Sequence, residues 1–300
     1  MESRTQIVVG ETLTHERLQA IGARRELTEL RLIDVGLDDA GAQVFADAAA
    51  FEHLEALYLP WNNLTAVGLR ALLRAPALAN LRLLHLYKNS LGAAGMQVLA
   101  EEAPALTSLN VCLNGLGPEG ARALVRSRRL RLDTLHIGIN ALGDDGAAAL
   151  AQWSGVAGLR ELNARANGLG PASVEALSRG AAWPTLERLL LEDNPLGPRA
   201  AEALAVAPRA PLKALQFGDA GVGEGGARRL SAAPALVSLE SLTLWNNGLG
   251  DAGVEAIVEA PFAPRLLHLD VSENDLGPRG RQQLARRDRL ARLETLRARD

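Results

Sequence analysis

Large aromatic side chains are scarce in this chain: Phe, Trp and Tyr make up 3% of its 300 residues. That excludes one deep globular core filled with big rings. The 48% hydrophobic fraction must be mostly small aliphatic groups, which suits a long, thin core. Cysteine is nearly absent too. With Cys112 alone, no internal disulfide can form, which fits a reducing compartment and a cytoplasmic location. Of 32 basic residues only Lys88 and Lys213 are lysine, a bias that high-GC codon usage produces, as in bacteria. The net charge is −3, so the basic excess of a nucleic-acid binder is missing. No apolar run approaches the ~18 residues a membrane span needs. The opening residues MESRTQIVVG lack the long apolar stretch of a secretion signal.

What is present is repetition. The segment LRLLHLYKNSLG recurs as LEALYLPWNNLT, LTSLNVCLNGLG, LDTLHIGINALG, LRELNARANGLG, LERLLLEDNPLG, LKALQFGDAGVG, LESLTLWNNGLG and LLHLDVSENDLG, with an earlier copy LTELRLIDVGLD. The copies start at Leu27, Leu54, Leu81, Leu106, Leu132, Leu159, Leu186, Leu212, Leu239 and Leu266, so the unit is about 27 residues long. Residues 27–300 therefore read as ten repeats plus a truncated eleventh strand at Leu293. Residues 1–26 read as an N-terminal partial repeat or cap, the back half of a preceding unit.

Each unit has two halves. LxxLxL alternates apolar residues and reads as a short strand. The second half reads as a helix. Gly92, Gly117, Gly143, Gly170, Gly197, Gly223, Gly250 and Gly277 sit at the expected N-cap, and Pro118, Pro171, Pro198 and Pro278 follow at the first helical position. A second glycine per unit (Gly68, Gly95 and Gly120, for example) predicts close helix–strand packing. Strand then helix, repeated in one direction, gives a parallel sheet with helices on its outer side. One unit cannot bury its own apolar face, so neighbours must stack. The helix layer is wider than the sheet, which predicts a curved α/β solenoid with the strands on the concave face.

The strand-plus-asparagine segment resembles the leucine-rich repeat, LxxLxLxxNxL, over roughly residues 27–298. The unit length and full helix resemble the ribonuclease-inhibitor-like subclass, which includes ribonuclease inhibitors, Ran GTPase-activating proteins and the sensing domains of nucleotide-binding immune receptors. The resemblance implies a horseshoe that binds protein or peptide on its concave face. The family's asparagine falls on Asn62, Asn89, Asn114, Asn140, Asn167, Asn194, Asn247 and Asn274, where stacked side chains would bond the backbone left open at each turn. Val35 and Ala220 depart from it, and Ala220 predicts a local irregularity or a bound water inside the stack.

In LxxLxLxxN, positions 1, 4 and 6 point into the core, and positions 3, 5, 7 and 8 project from the open face. Four of the six Trp and Tyr residues fall on those projecting positions: Tyr58, Trp61, Tyr87 and Trp245. Large rings left in water mark binding hot spots. The later units add Glu192, Asp193, Asp219, Asp270 and Glu273 against Arg188, with Arg165 one unit earlier. The early units carry Arg31, Lys88, His85 and His136 against Glu29 and Asp34. A protein or peptide partner is expected, with basic groups selected by Glu192, Asp193, Asp270 and Glu273.

Other signals reduce to the repeat. Gly221-Val-Gly-Glu-Gly-Gly226 matches a dinucleotide fingerprint, yet Gly223 and Gly226 sit at the register of the other units' glycines. Cys112 projects beside His85, Asn110, His136 and Asn163, but with a separation too large for a nucleophile and its base. His85 and His136 lack a third ligand for a metal. The sequon Asn63-Leu-Thr65 has no secretion signal to serve it. The expectation is a non-enzymatic interaction scaffold, monomeric, with no cofactor, metal or catalytic site, and with end-to-end association open to it. A regulatory module such as a GTPase activator or effector-like protein, and a structural spacer, are the alternatives.

Overall fold

The computed structural model describes residues 4–11, 13–22, 26–47, 51–286 and 288–299. The chain divides into two compact units. The first comprises Met1–Leu142 with Trp153–Gly158, the second Gly143–Gln152 with Leu159–Asp300. Among the described residues, twelve parallel strands alternate with eleven α-helices, which makes the chain an α/β leucine-rich-repeat solenoid.

In the first unit the strands are β1 (Thr5–Val9), β2 (Glu29–Ile33), β3 (Ala56–Tyr58), β4 (Leu83–His85), β5 (Ser108–Asn110) and β6 (Thr134–His136). The helices are α1 (His15–Gly22), α2 (Asp39–Asp47), α3 (Ala66–Arg74), α4 (Gly92–Glu102) and α5 (Gly117–Leu124). The second unit holds α6 (Gly143–Gln152), β7 (Glu161–Asn163), α7 (Pro171–Ser178), β8 (Arg188–Leu190), α8 (Gly197–Val206) and β9 (Ala214–Gln216). It continues with α9 (Gly223–Ser231), β10 (Ser241–Thr243), α10 (Gly250–Val258), β11 (His268–Asp270), α11 (Pro278–Leu284) and β12 (Thr295–Arg297). Within each unit every strand pairs with its sequence neighbour at one repeat's offset, as in Tyr58 beside His85 and His85 beside Asn110. Strand β1 pairs with β2 and is followed by α1, so the segment before Leu27 carries both a strand and a helix rather than a back half alone.

The core is a stack of leucines. Leu30, Leu57, Leu84, Leu109 and Leu135 in the first unit, and Leu162, Leu189, Leu215, Leu242 and Leu269 in the second, are all buried at matching positions of their strands. Each such leucine contributes about 1.5–3 kcal/mol of burial. The helix glycines serve a different contact from the expected one. A Cβ on Gly120 would meet Leu116 of the same unit at 2.7 Å and the Ala93 backbone of the preceding helix at 3.6 Å. The close approach is therefore helix to helix, with no strand involved.

Strands end in the same way in all ten repeats. The eighth residue takes a left-handed backbone: Asp34, Trp61, Lys88, Leu113, Ile139, Ala166, Asp193, Asp219, Asn246 and Glu273 all have φ between +48° and +58°. The ninth residue then occupies the buried inside of the turn. Asn274 shows why it is asparagine. Its Oδ1 accepts from the amides of Asn247 (2.9 Å) and Leu249 (3.2 Å), and its Nδ2 donates to the carbonyls of Leu244 (2.8 Å) and Val271 (3.0 Å). Asn62, Asn89, Asn114 and Asn247 make the same kind of bonds to their preceding repeat. At Ala220 no such side chain exists. There the Leu196 amide of the preceding repeat bends back to the Asn194 carbonyl at 2.7 Å, a local irregularity.

Helix starts come in two kinds, and one residue decides between them. Asp39, Asp144 and Asp251 stand just inside a helix start, and each caps the helix of the next repeat. Asp39 accepts from the amides of Thr65 and Gly68, Asp144 from Gly170 and Ser173, and Asp251 from Gly277 and Gly280. Burial pushes the Asp39 carboxyl upward, but the bonds from Thr65 and Gly68 outweigh it and hold the group below its usual range. In these three repeats the residue before the helix is extended, with φ of −105° at Thr65, −93° at Gly170 and −78° at Gly277. Where no such aspartate precedes, the glycine at that place is left-handed: Gly92, Gly117, Gly143, Gly197, Gly223 and Gly250, with φ from +56° to +66°. Five of these six glycines follow a leucine or valine that occupies the N-cap, so the expected glycine cap holds only at Gly170 and Gly277.

Two substitutions test this scheme by urea denaturation. Asn274→Ala strands several buried amides and carbonyls, so stability should fall by about 3 kcal/mol or more. A loss below about 1 kcal/mol would show the turn does not depend on the side chain. Asp144→Ala removes a cap and should cost about 1–2 kcal/mol.

Candidate functional site

The open face of the first unit's sheet carries a continuous run of rings and cations. Tyr58 and His85 lie side by side on β3 and β4, with ring centroids 5.6 Å apart. His85 lies 6.4 Å from Tyr87, and Tyr87 lies 5.9 Å from Trp61. A cation closes each end. The Arg31 guanidinium sits 4.3 Å above the Tyr58 ring, and the Lys88 ammonium sits 3.4 Å above the Trp61 ring. Arg31 is also paired with Glu29 at 2.5 Å. Trp61 is 46% exposed, unusual for so large an apolar surface. Trp61, Lys88, Asp34, Ser90 and Gly115 line an open recess at the ends of these strands.

His85 is half-buried, and its hydrogen bonds fix its tautomer. The Asn110 Oδ1 accepts the Cys112 amide at 3.0 Å, which orients the Asn110 side chain. Its Nδ2 then donates to His85 Nε2 at 2.8 Å, so the neutral ring carries its proton on Nδ1. Nδ1 is buried without a partner. The carbonyl of His85 itself is taken by the Leu59 amide. Burial, then the nearby His136 and Arg31, lower the His85 pKa to about 4. His136 lies across Asn110 on β6, half-exposed.

The seventh position is less open than its alternation suggests. Pro60, Gly138 and Gly218 are buried there, and so is Cys112. Cys112 does not project, contrary to expectation: its Sγ accepts the Gly138 amide at 3.1 Å beneath the neighbouring turn. Trp153 and Trp183 lie in the core, with indole N–H groups donating to the Ser127 and Pro208 carbonyls.

The second unit's face has a different character. Glu192, Gly218 and Trp245 occupy the seventh position of three successive repeats. A Cβ on Gly218 would lie 2.0 Å from Trp245 Nε1, so the indole lies directly across that glycine. The indole N–H is near enough to the Glu192 carboxylate to favour its charged form. Burial raises the Glu192 pKa, the charges of Asp193 and Asp270 raise it further, and the Trp245 indole and Arg165 act against them. Asp270 accepts from the Ser272 hydroxyl and amide and has Arg297 at 3.9 Å. Arg188 pairs with Glu161 at 3.1 Å. Asp193, Asp219 and Glu273 are exposed on left-handed turns, and Asn246 donates to Asp219 at 2.8 Å.

The structure thus brings Tyr58, Trp61, His85, Tyr87 and Lys88 together in one unit, and Arg165, Glu192, Asp193, Trp245 and Asp270 in the other. Sequence reasoning left out two contributors. Arg31 was read only as surface charge, although it stands one repeat before Tyr58 at the same fifth position. Gly218 was overlooked, although a glycine one repeat before a tryptophan at the same position signals space for a ring. Among the described residues, no group of three or more His, Cys, Asp or Glu is placed to hold a metal ion, and no helix is long and apolar enough to cross a membrane.

With this geometry described, comparisons place the fold. The profile of the Leucine Rich repeat family matches residues 52–73, 104–125, 132–151, 236–258 and 264–285. These stretches of the chain are leucine-rich repeats. It is similar in structure to an internalin (inlF) of Listeria monocytogenes, at 18% identity and a TM-score of 0.56, covering 98% of this chain and 86% of that one. It is also similar to a chain of the yeast Rad7–Elc1 complex, at 16% identity and a TM-score of 0.60, covering 91% of this chain and 71% of that one. No curated protein sequence matches it.

The low His85 pKa has a measurable consequence. Between pH 4 and 6.5 the unfolded chain holds a proton on this histidine that the folded chain does not. Stability from this group is therefore full above about pH 6.5 and is lost as pH falls towards 4. The urea midpoint should drop across that window, and should drop less in His85→Gln. Parallel curves for the two proteins would show that His85 is not held neutral.

Proposed function

We propose that this chain is a non-enzymatic scaffold that captures a protein or peptide on its strand face. The observation that carries the reading is the run Arg31–Tyr58–His85–Tyr87–Trp61–Lys88: six contacting side chains in the first unit, with a tryptophan nearly half in water. Rings held by neighbours lose little conformational freedom on binding, so their burial by a partner converts efficiently into affinity. Tyr58, Trp61 and Tyr87 are the anchors here, with His85, His136 and Lys88 around them. Trp245 anchors the second unit's face, where Glu192, Asp193, Asp270 and Glu273 select basic groups and Arg165 borders them. Leucine-rich-repeat proteins are typically non-enzymatic scaffolds, and the Rad7 structure was solved as a complex with another protein, Elc1.

Finer assignments follow the same reading. Repeats near 27 residues with a true helix in each support the ribonuclease-inhibitor-like subclass. The single free thiol, buried at Cys112, suits a reducing cytoplasm.

Affinity capture from the source cell, with the Trp61→Ala/Tyr87→Ala double variant as comparison, tests the proposal. The variant should lose several kcal/mol of binding in total, at least 100-fold in affinity. Equal recovery of the same partner by both proteins removes the first unit's anchors from consideration.

A further inference from the structure

The chain's own aromatic residues indicate what the second unit lacks. In the first unit, two exposed rings on the strand face are each covered by a cation from the chain itself: Tyr58 by Arg31 and Trp61 by Lys88. Among the described residues, no such cation lies over Trp245. Its surroundings are instead built for one. The indole rests across Gly218, where any side chain would collide with it, and its N–H lies near the Glu192 carboxylate. The ring therefore has a preset seat against the glycine, and it is partly exposed. The charges of Asp193 and Asp270 raise the cost of charging Glu192. The cations on this face, Arg165, Arg188, Arg297 and Arg299, stand against Glu161, Glu192, Asp193, Asp219, Asp270 and Glu273; Arg188 is already bound to Glu161, and Arg297 lies 3.9 Å from Asp270.

We propose that the strand face of the second unit binds an arginine side chain of an extended basic peptide, with the guanidinium stacked on Trp245 and its N–H groups bonded to the surrounding carboxylates. The inference rests on the scaffold reading above and names the ligand chemistry of one of its two faces. Charge complementarity selects a cation. The flat, preset indole selects among cations: a planar guanidinium stacks on a ring and reaches two carboxylate oxygens at once, whereas an ammonium is a compact, strongly hydrated point charge. Gly218 acts as a specificity-determining residue because it gives the indole its resting place.

The test uses the full chain and two synthetic peptides, one with three arginines alternating with glycines and one with lysine at the same places. Titration is followed by calorimetry and by tryptophan emission at low and physiological salt. The arginine peptide should bind at least tenfold more tightly than the lysine peptide. That preference should vanish in Trp245→Leu, while Trp61→Leu should leave it intact. Gly218→Ala, checked for native melting, should weaken the arginine peptide and spare the lysine peptide. Equal binding of both peptides, binding indifferent to Trp245→Leu, or no binding would each overturn the proposal. None of those results touches capture through Trp61 and Tyr87, so failure here is distinct from failure of the scaffold reading.

Discussion

The structure depends on how a short strand can end inside a stack. Neighbouring strands lie about 4.8 Å apart, so each turn is covered by the next and its amides and carbonyls cannot reach water. A buried asparagine resolves this, because its amide side chain both donates and accepts, as a backbone group does. Asn274 reaches four backbone groups belonging to two repeats. The one interior failure shows how local the dependence is. Opposite Ala220, the Leu196 amide finds the Asn194 carbonyl within its own turn, and the strand register continues on both sides.

This solution constrains function. The residue before the asparagine is held left-handed, a conformation that Asp and Asn tolerate better than most residues and that β-branched residues tolerate poorly. Of the ten residues there, Asp34, Asp193, Asp219 and Asn246 follow that preference, and only Ile139 is β-branched. Asp193 and Asp219 thus have a backbone reason to be present that is independent of any ligand. Asp270 also has one, since it accepts the Ser272 amide, whereas Glu192, Trp61 and Trp245 have none. Trp61 occupies a left-handed turn, and its indole contributes no bond to that turn. Recognition is therefore attributed to these three residues rather than to the count of acidic groups.

The repeat period, the strand register and the buried asparagines were legible in the sequence because each is a local pattern copied in at least eight of the ten repeats. The aromatic positions were legible because alternation in a strand is a short-range rule. What escaped was whatever depends on the neighbouring repeat. The two kinds of helix start are invisible within one repeat, since Gly170 and Gly197 look alike. They differ only because Asp144 precedes one and Pro171 the other. Burial of Cys112 escaped for the same reason: the next turn, at Gly138, closes over it. The resting place of Trp245 is likewise written one repeat upstream, at Gly218.

These pairings between repeats also decide what each face can accept. In the first unit the cations are already over rings, so a second cation arriving there would meet Lys88 and Arg31 and find the ring faces taken. A carboxylate or a carbonyl would gain from both. In the second unit carboxylates outnumber cations on the strand face and, among the described residues, no cation lies over the indole, so the same carboxylate would be repelled and a cation would be favoured. The selectivity arises from the order in which a few side chains follow one another down the fifth, seventh and eighth positions. Exchanging residues between repeats would therefore alter recognition while leaving the leucine core and the asparagine turns as they are.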